Sequence, residues 1–214
     1  MPRVAQDESG PSSAPEGEDS IAAIRSAASR QAILNAARKL FSTKGYATTS
    51  ISDIVALAGT SVGLPYYHFG SKKQIFLTLW NEYQVSHEVH TRAAVTGARR
   101  AGARGQDLLL AGTRAYLQGA WEARDILPMV HGRDTPPGFD SMLREADRRW
   151  ERQNRALLMG HDPELVATAT ALLSSALRAL CLEFPKCRTR QDATQLIDDA
   201  LVLFAGLLGC LDRR

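Results

Sequence analysis

Residues 50–72 read Ser50-Ile51-Ser52-Asp53-Ile54-Val55-Ala56-Leu57-Ala58-Gly59-Thr60-Ser61-Val62-Gly63-Leu64-Pro65-Tyr66-Tyr67-His68-Phe69-Gly70-Ser71-Lys72. Ser50 followed three residues on by Asp53 fits a capping box, in which the hydroxyl accepts from the Asp53 amide and the carboxylate reaches back. The helix it opens turns Ile51, Ile54 and Val55 inward and stops at Ala58-Gly59. A second short helix follows a tight turn, with Ser61 as expected N-cap and Val62, Tyr66 and Phe69 as expected inner face. Gly70-Ser71 break it, and Ser71 caps a further helix from Lys72. Two short helices joined by a glycine turn predict a helix-turn-helix. In that geometry the second helix lies in the major groove of DNA while the first crosses the backbone.

Upstream, Ile33, Leu34, Ala37, Leu40 and Phe41 share one helical face, and Lys44-Gly45 end that helix. Residues 1–24 are acidic and rich in Pro, Gly and Ser toward their start, which predicts a disordered tail. Downstream, the helix from Lys72 runs to about Arg92 and buries Ile75, Phe76, Leu79, Trp80 and Tyr83. Gly97, Gly102 and Gly105 then suggest a hinge. The expected division is a helix-turn-helix domain over 25–72, a connecting helix over 73–95 and a helical domain over 96–214. Long helices are expected near 104–124, 138–159, 163–184 and 190–211, with Asp162 capping the third and Pro163 at its first position. The fold class is all-α.

The last two helices carry broad apolar stripes. Leu201, Val202, Leu203, Phe204, Leu207, Leu208 and Leu211 go nearly all the way round. Such a helix must be covered on most sides, and a second copy of the chain, forming a four-helix bundle, is one way. The most apolar run, eleven residues from Leu201 to Leu211, is too short to cross a bilayer, so no membrane span is expected. Three cysteines, Cys181, Cys187 and Cys210, without CxxC spacing predict free, inert thiols and a cytoplasmic location. The composition, 44% hydrophobic and 23% charged, is that of an ordinary globular protein. Formal net charge is only +3, but it divides as −4 over 1–20, +7 over 21–100 and none over 101–214. Positive charge gathered beside the helix-turn-helix points to a polyanion.

The string Arg30-Gln31-Ala32-Ile33-Leu34-Asn35-Ala36-Ala37, then Leu40-Phe41, Gly45-Tyr46, Thr48-Thr49-Ser50, Ile54, Ala58-Gly59, Gly63, Tyr66-Tyr67-His68-Phe69 and Lys72, resembles the N-terminal domain of TetR-family transcriptional regulators over about residues 26–76. The resemblance implies a homodimer, joined through the last two helices, whose recognition helices enter successive major grooves of a palindromic operator. It also implies a small-molecule effector in the C-terminal domain that releases a repressor from DNA. Carried over by position, Ser50 and Lys72 fall where relatives hold phosphates. Ser52, Val62, Gly63 and Leu64 fall where they approach bases, beside Ser61, and Tyr66, Tyr67 and His68 lie on the backbone-clamping surface. Leu64-Pro65 stand where many relatives have Thr-Leu. Leu64 can touch only a thymine methyl, so phosphate contacts and DNA shape are expected to dominate.

A largely apolar effector would be held by bulky residues of the middle helices, and Tyr116, Trp121, Met129, His131, Phe139, Met142 and Trp150 are the candidates. Each also fits an ordinary core. The loop 132–138 can gate such a pocket or be a plain turn. An effector-independent DNA-binding regulator stands as an alternative. A helical metal-binding protein or enzyme is a further one, resting on His87 and His90 at i, i+3. Against it, the chain has no HExxH spacing, nucleophile motif or glycine-rich phosphate loop, so neither catalysis, metal nor cofactor is expected.

Overall fold

The computed structural model describes residues 16–211, with side chains from residue 21. Among them the chain is helical without strands: α1 (Glu16–Thr43), α2 (Ile51–Ala58), α3 (Gly63–Phe69), α4 (Lys72–Arg100), α5 (Gly105–Glu122), α6 (Leu127–His131), α7 (Phe139–Arg155), α8 (Pro163–Glu183) and α9 (Arg190–Leu208). Short 3-10 turns follow α7 and α8. The tail expectation is corrected over 16–24, which begin α1; residues 1–15 lie outside the described residues. The hinge moves too. Gly97 is inside α4, which continues to Arg100, because Val95 and Thr91 pack closely against Gly112 of α5. The five-residue α6 was not expected: Pro128 sits in its first turn, where a missing amide costs little.

The apolar face of α1 packs on α2, α3 and α4. Ile33, Leu34, Phe41, Ile54, Phe69, Ile75 and Phe76 are buried there, each worth about 1.5–3 kcal/mol of apolar burial. That cluster continues into the C-terminal part. Phe139, at the start of α7, meets Phe76 edge-on at 5.0 Å and Trp80 at 5.3 Å.

Each terminal helix has one covered side. α9 packs on α5 and buries Ile197, Leu201, Phe204 and Leu208. Val202 and Leu203 on its other side are each 72% exposed, and Leu172 and Leu182 of α8 are also exposed. The membrane expectation needs a correction: Pro163–Lys186 is long enough to span a bilayer and holds an 18-residue window of mean hydropathy 1.7. Its stripe Val166, Ala169, Thr170, Leu173, Leu177 and Cys181 is instead buried within the protein.

Candidate nucleic-acid interface

The α2–α3 unit is built from local chemistry. Ser50 Oγ accepts from the Asp53 amide at 3.0 Å, and the Ser50 amide donates to Asp53 Oδ2 at 2.8 Å, completing the capping box. Lys44 Nζ donates to the same oxygen at 2.9 Å. The Ser50 amide and then Lys44 hold the Asp53 carboxyl well below the usual carboxylate range. Gly59 closes α2 with φ +64°.

Pro65 and Phe69 are the buried residues of α3, so its outward face is Val62, Gly63, Tyr66 and Tyr67. This corrects the expected inner face: Val62 is 59% and Tyr66 54% exposed, because the helix starts at Gly63 and turns Pro65 inward. Ser61 is not its side-chain cap; α3 has none, and Ser61 contributes only its carbonyl, to the Leu64 amide at 3.1 Å. Tyr67 projects furthest, at 79% exposure. Ser50 and Ser52 of the α2 start are exposed on the same unit, and Leu64 is half-buried. Gly63 has open space where a Cβ would stand.

Two expected backbone contacts are engaged internally. His68 Nε2 hydrogen-bonds Ser29 Oγ of α1 at 2.9 Å, which fixes α3 on α1. Lys72 Nζ donates to the carbonyls of Tyr46 and Thr49, both at 2.7 Å, and lies 4.3 Å from the centre of the Tyr46 ring. It braces the turn before α2. Other bases of the basic N-terminal stretch are paired as well: Arg30 with Glu82, Arg38 with Asp125, Lys44 with Asp53 and Arg92 with Glu88.

The loop 132–138 is docked on this domain. Both Asp134 carboxylate oxygens accept from the Ala47 amide, at 3.0 and 3.1 Å. Lys73 Nζ donates to the Pro137 carbonyl at 3.0 Å, and Arg38 makes a paired bond to Asp125, 2.6 Å each. Gly45 is needed at this junction. Its φ is +92°, and an added Cβ would lie 2.3 Å from Asp134 Oδ2. Asp134 and the Pro137 carbonyl thus tie the loop to residues 45–47 and 73.

The seven candidate effector residues are not brought together. Tyr116 and Trp150 line a cavity of about 370 Å³ between α4, α5 and α7. Met142 lines a shallow groove beside it. Met129 and Phe139 are sealed in the core, and Trp121 lines a depression with Arg114 and Arg190. His131 Nε2 lies 3.4 Å from Tyr83 Oη. Residue type marks all seven as bulky side chains but cannot tell a filled interior from a cavity wall.

Behind the cavity sits a buried polar cluster that sequence reasoning missed. His87 packs tilted against Tyr83 and Tyr116, with ring centres 4.2 and 4.8 Å away. Gly119 admits it: an added Cβ there would lie 3.1 Å from His87 Cε1. The Cys181 thiol is 3.8 Å from Tyr116 Oη. Burial pushes the Cys181 thiol up to about 11 and pulls His87 and His131 each down to about 4. The Nδ1 atoms of both histidines are buried without hydrogen-bond partners. His90 is exposed near Ser86 and lines a depression together with the buried His87. Among the described residues no three His, Cys, Asp or Glu side chains are placed to share a metal.

Residues 33–79 match the sequence family described as "Bacterial regulatory proteins, tetR family". The chain is 53% identical over 53 residues to the HTH-type transcriptional regulator HbdR of Aromatoleum sp. (strain CIB), covering 24% of this chain and 23% of that protein. It is 41% identical over 51 residues to the HTH-type transcriptional regulator AcrR of Shigella flexneri, covering 24% of each. The matched segment thus spans about a quarter of the length of these curated relatives. The fold resembles a TetR-like transcriptional regulator from Rhodococcus sp. RHA1, with TM-score 0.66, 20% identity and coverage of 84% and 93% of the two chains. It also resembles the TetR family transcriptional regulator PfmR from Thermus thermophilus, with TM-score 0.59, 25% identity and coverage of 82% and 96%.

Proposed function

We propose that this chain, whose residues 33–79 match the tetR family of bacterial regulatory proteins, is a cytoplasmic transcriptional repressor that binds a palindromic DNA operator as a homodimer and is released by a small molecule. The observation that carries the reading is the outward face of α3. Val62, Gly63, Tyr66 and Tyr67 stand exposed on a helix anchored from behind by Pro65 and Phe69. The tyrosine hydroxyls suit phosphates, and the Val62–Gly63 corner suits close approach to a groove. Ser50 and Ser52 lie at the flank, where a backbone would pass.

The open stripe of Leu172, Leu182, Val202 and Leu203 supports dimerisation through α8 and α9. The cavity of about 370 Å³ supports an effector, as does the Asp134 latch, which joins the α6–α7 loop to the turn before α2. An almost complete release needs about 5.5 kcal/mol of preference for the non-DNA conformation. The test is a gel shift on DNA upstream of the protein's own gene, across a salt series. Tight binding at one palindromic site, weakening steeply with salt, is expected. The double variant Tyr66→Phe/Tyr67→Phe keeps the fold and is expected to lose roughly tenfold or more in affinity. Weak retardation of every DNA alike, unaffected by that variant, would overturn the reading.

A further inference from the structure

The cavity between α4, α5 and α7 has a charge pattern that specifies more than an apolar guest. Arg92 and Arg99 of α4 and Arg149 of α7 line it, against the single acid Glu88. Glu88 is already paired with Arg92. Neither Arg99 nor Arg149 has a carboxylate within 4 Å among the described residues. The wall also carries Tyr116, Trp150, Val95 and Leu157, five uncharged polar side chains, and the His87 ring, whose buried Nδ1 has no partner.

We propose that this cavity binds an amphipathic organic carboxylate, with Arg99 and Arg149 holding the carboxylate and the aromatic wall holding the body. The proposal rests on the regulator reading above and gives the effector its chemical class. Guanidinium forks match a carboxylate in two parallel bonds. A cationic guest would meet two unneutralised arginines, and a neutral one would leave them unused. The volume is at the lower end for small-molecule sites, roughly 300–1,000 Å³, so the guest is a compact acid. Its carboxylate would tie α4 to α7. α7 begins at Phe139, which is wedged against Phe76 and Trp80 directly after the Asp134 latch. Movement of α7 is thereby passed to the DNA-binding domain.

The test uses the full chain, with direct binding followed by calorimetry and Trp fluorescence. The probes are benzoate, 1-naphthoate, octanoate and decanoate, each beside its primary amide and the matching primary ammonium. At least one carboxylate is expected to bind, about tenfold or more tighter than its amide and ammonium counterparts. Arg99→Gln/Arg149→Gln is expected to abolish that preference while unliganded operator binding and melting temperature stay unchanged. Arg144→Gln, on the same helix outside the cavity, is expected to leave it intact. Equal or better binding of amides or ammonium ions, full carboxylate affinity in the double variant, or no binding by any carboxylate of the set overturns the proposal. Failure of the regulator reading is separate: it is absence of operator binding by the unliganded protein, whatever the carboxylates do.

Discussion

The α2–α3 unit and the α4–α9 body settle their polar groups over different distances along the chain. Around α2 and α3, Ser50 pairs with Asp53 three residues away and Lys44 with Asp53 nine away. In the body, Arg114 pairs with Asp198 across 84 residues and Arg178 with Asp147 across 31. The joints between the two regions, Arg38–Asp125 and Ala47–Asp134, each span 87. The start of α2 is therefore set by local chemistry, α3 is held on α1 across 39 residues by His68 and Ser29, and the proposed control of this unit rests on contacts between still more distant segments. A variant in the second class should be felt in the first.

Phe139→Ala is the strongest way to break that comparison. It removes a fully buried ring between Phe76 and Trp80, and the expected loss is about 3–5 kcal/mol. Urea unfolding measures it, and hydrogen exchange should show lost protection at the start of α4 as well as in α7. Protection lost in α7 alone would mean the two regions are energetically separate.

The next effect is pH dependence. His87 is 5% exposed and titrates near 4 in the fold against an ordinary 6.5. Between those values the unfolded chain binds the proton and the folded one does not. Stability is thus fully present above pH 6.5 and falls toward pH 4, by about 3 kcal/mol for this group. The ring faces Tyr83 and Tyr116, with His90 and His131 near, and His131 adds a loss of the same sign. A series of denaturation curves from pH 7.5 to 4 should show the decline, and His87→Phe should reduce it to the share carried by His131.

Lys72→Met keeps the stem and removes the ammonium from the Tyr46 and Thr49 carbonyls. We expect about 2 kcal/mol of lost stability, and weaker operator binding through a loosened turn. If Lys72 instead acts mainly as a phosphate contact, affinity falls while the urea midpoint stays put. Asp134→Ala gives the smallest change, about 1 kcal/mol or less in stability. Its sharper readout is coupling: the concentration of effector needed for release should change more than operator affinity does. Unchanged release would remove the latch from the mechanism.

The helix-turn-helix was legible because its determinants lie within one or two turns of each other. The Ser50–Asp53 box, the Gly59 stop and the Ser71 cap stand in the structure where the sequence indicates them. The Asp162 cap with Pro163 was equally local. Errors within this region came from rotation about a very short axis. In seven residues, one position's shift of the helix start exchanges Pro65 for Val62 and Tyr66 on the inner face. The basic surplus of residues 21–100 was legible as a count. Its partial neutralisation by Glu82, Asp125 and backbone carbonyls was not.

By itself the sequence determined the helical class, the starts of the capped helices and the small unit that carries the family resemblance, because periodicity and capping act between neighbours in the chain. Only the tertiary structure decided that Phe139 and Met129 are filled core while Tyr116 and Trp150 line a cavity, that His87 is buried and His90 exposed, and that Arg99 and Arg149 share one cavity. Those outcomes depend on how α4, α5 and α7 cross. A crossing is fixed by side-chain shapes from segments tens of residues apart, which a pattern along one segment does not contain.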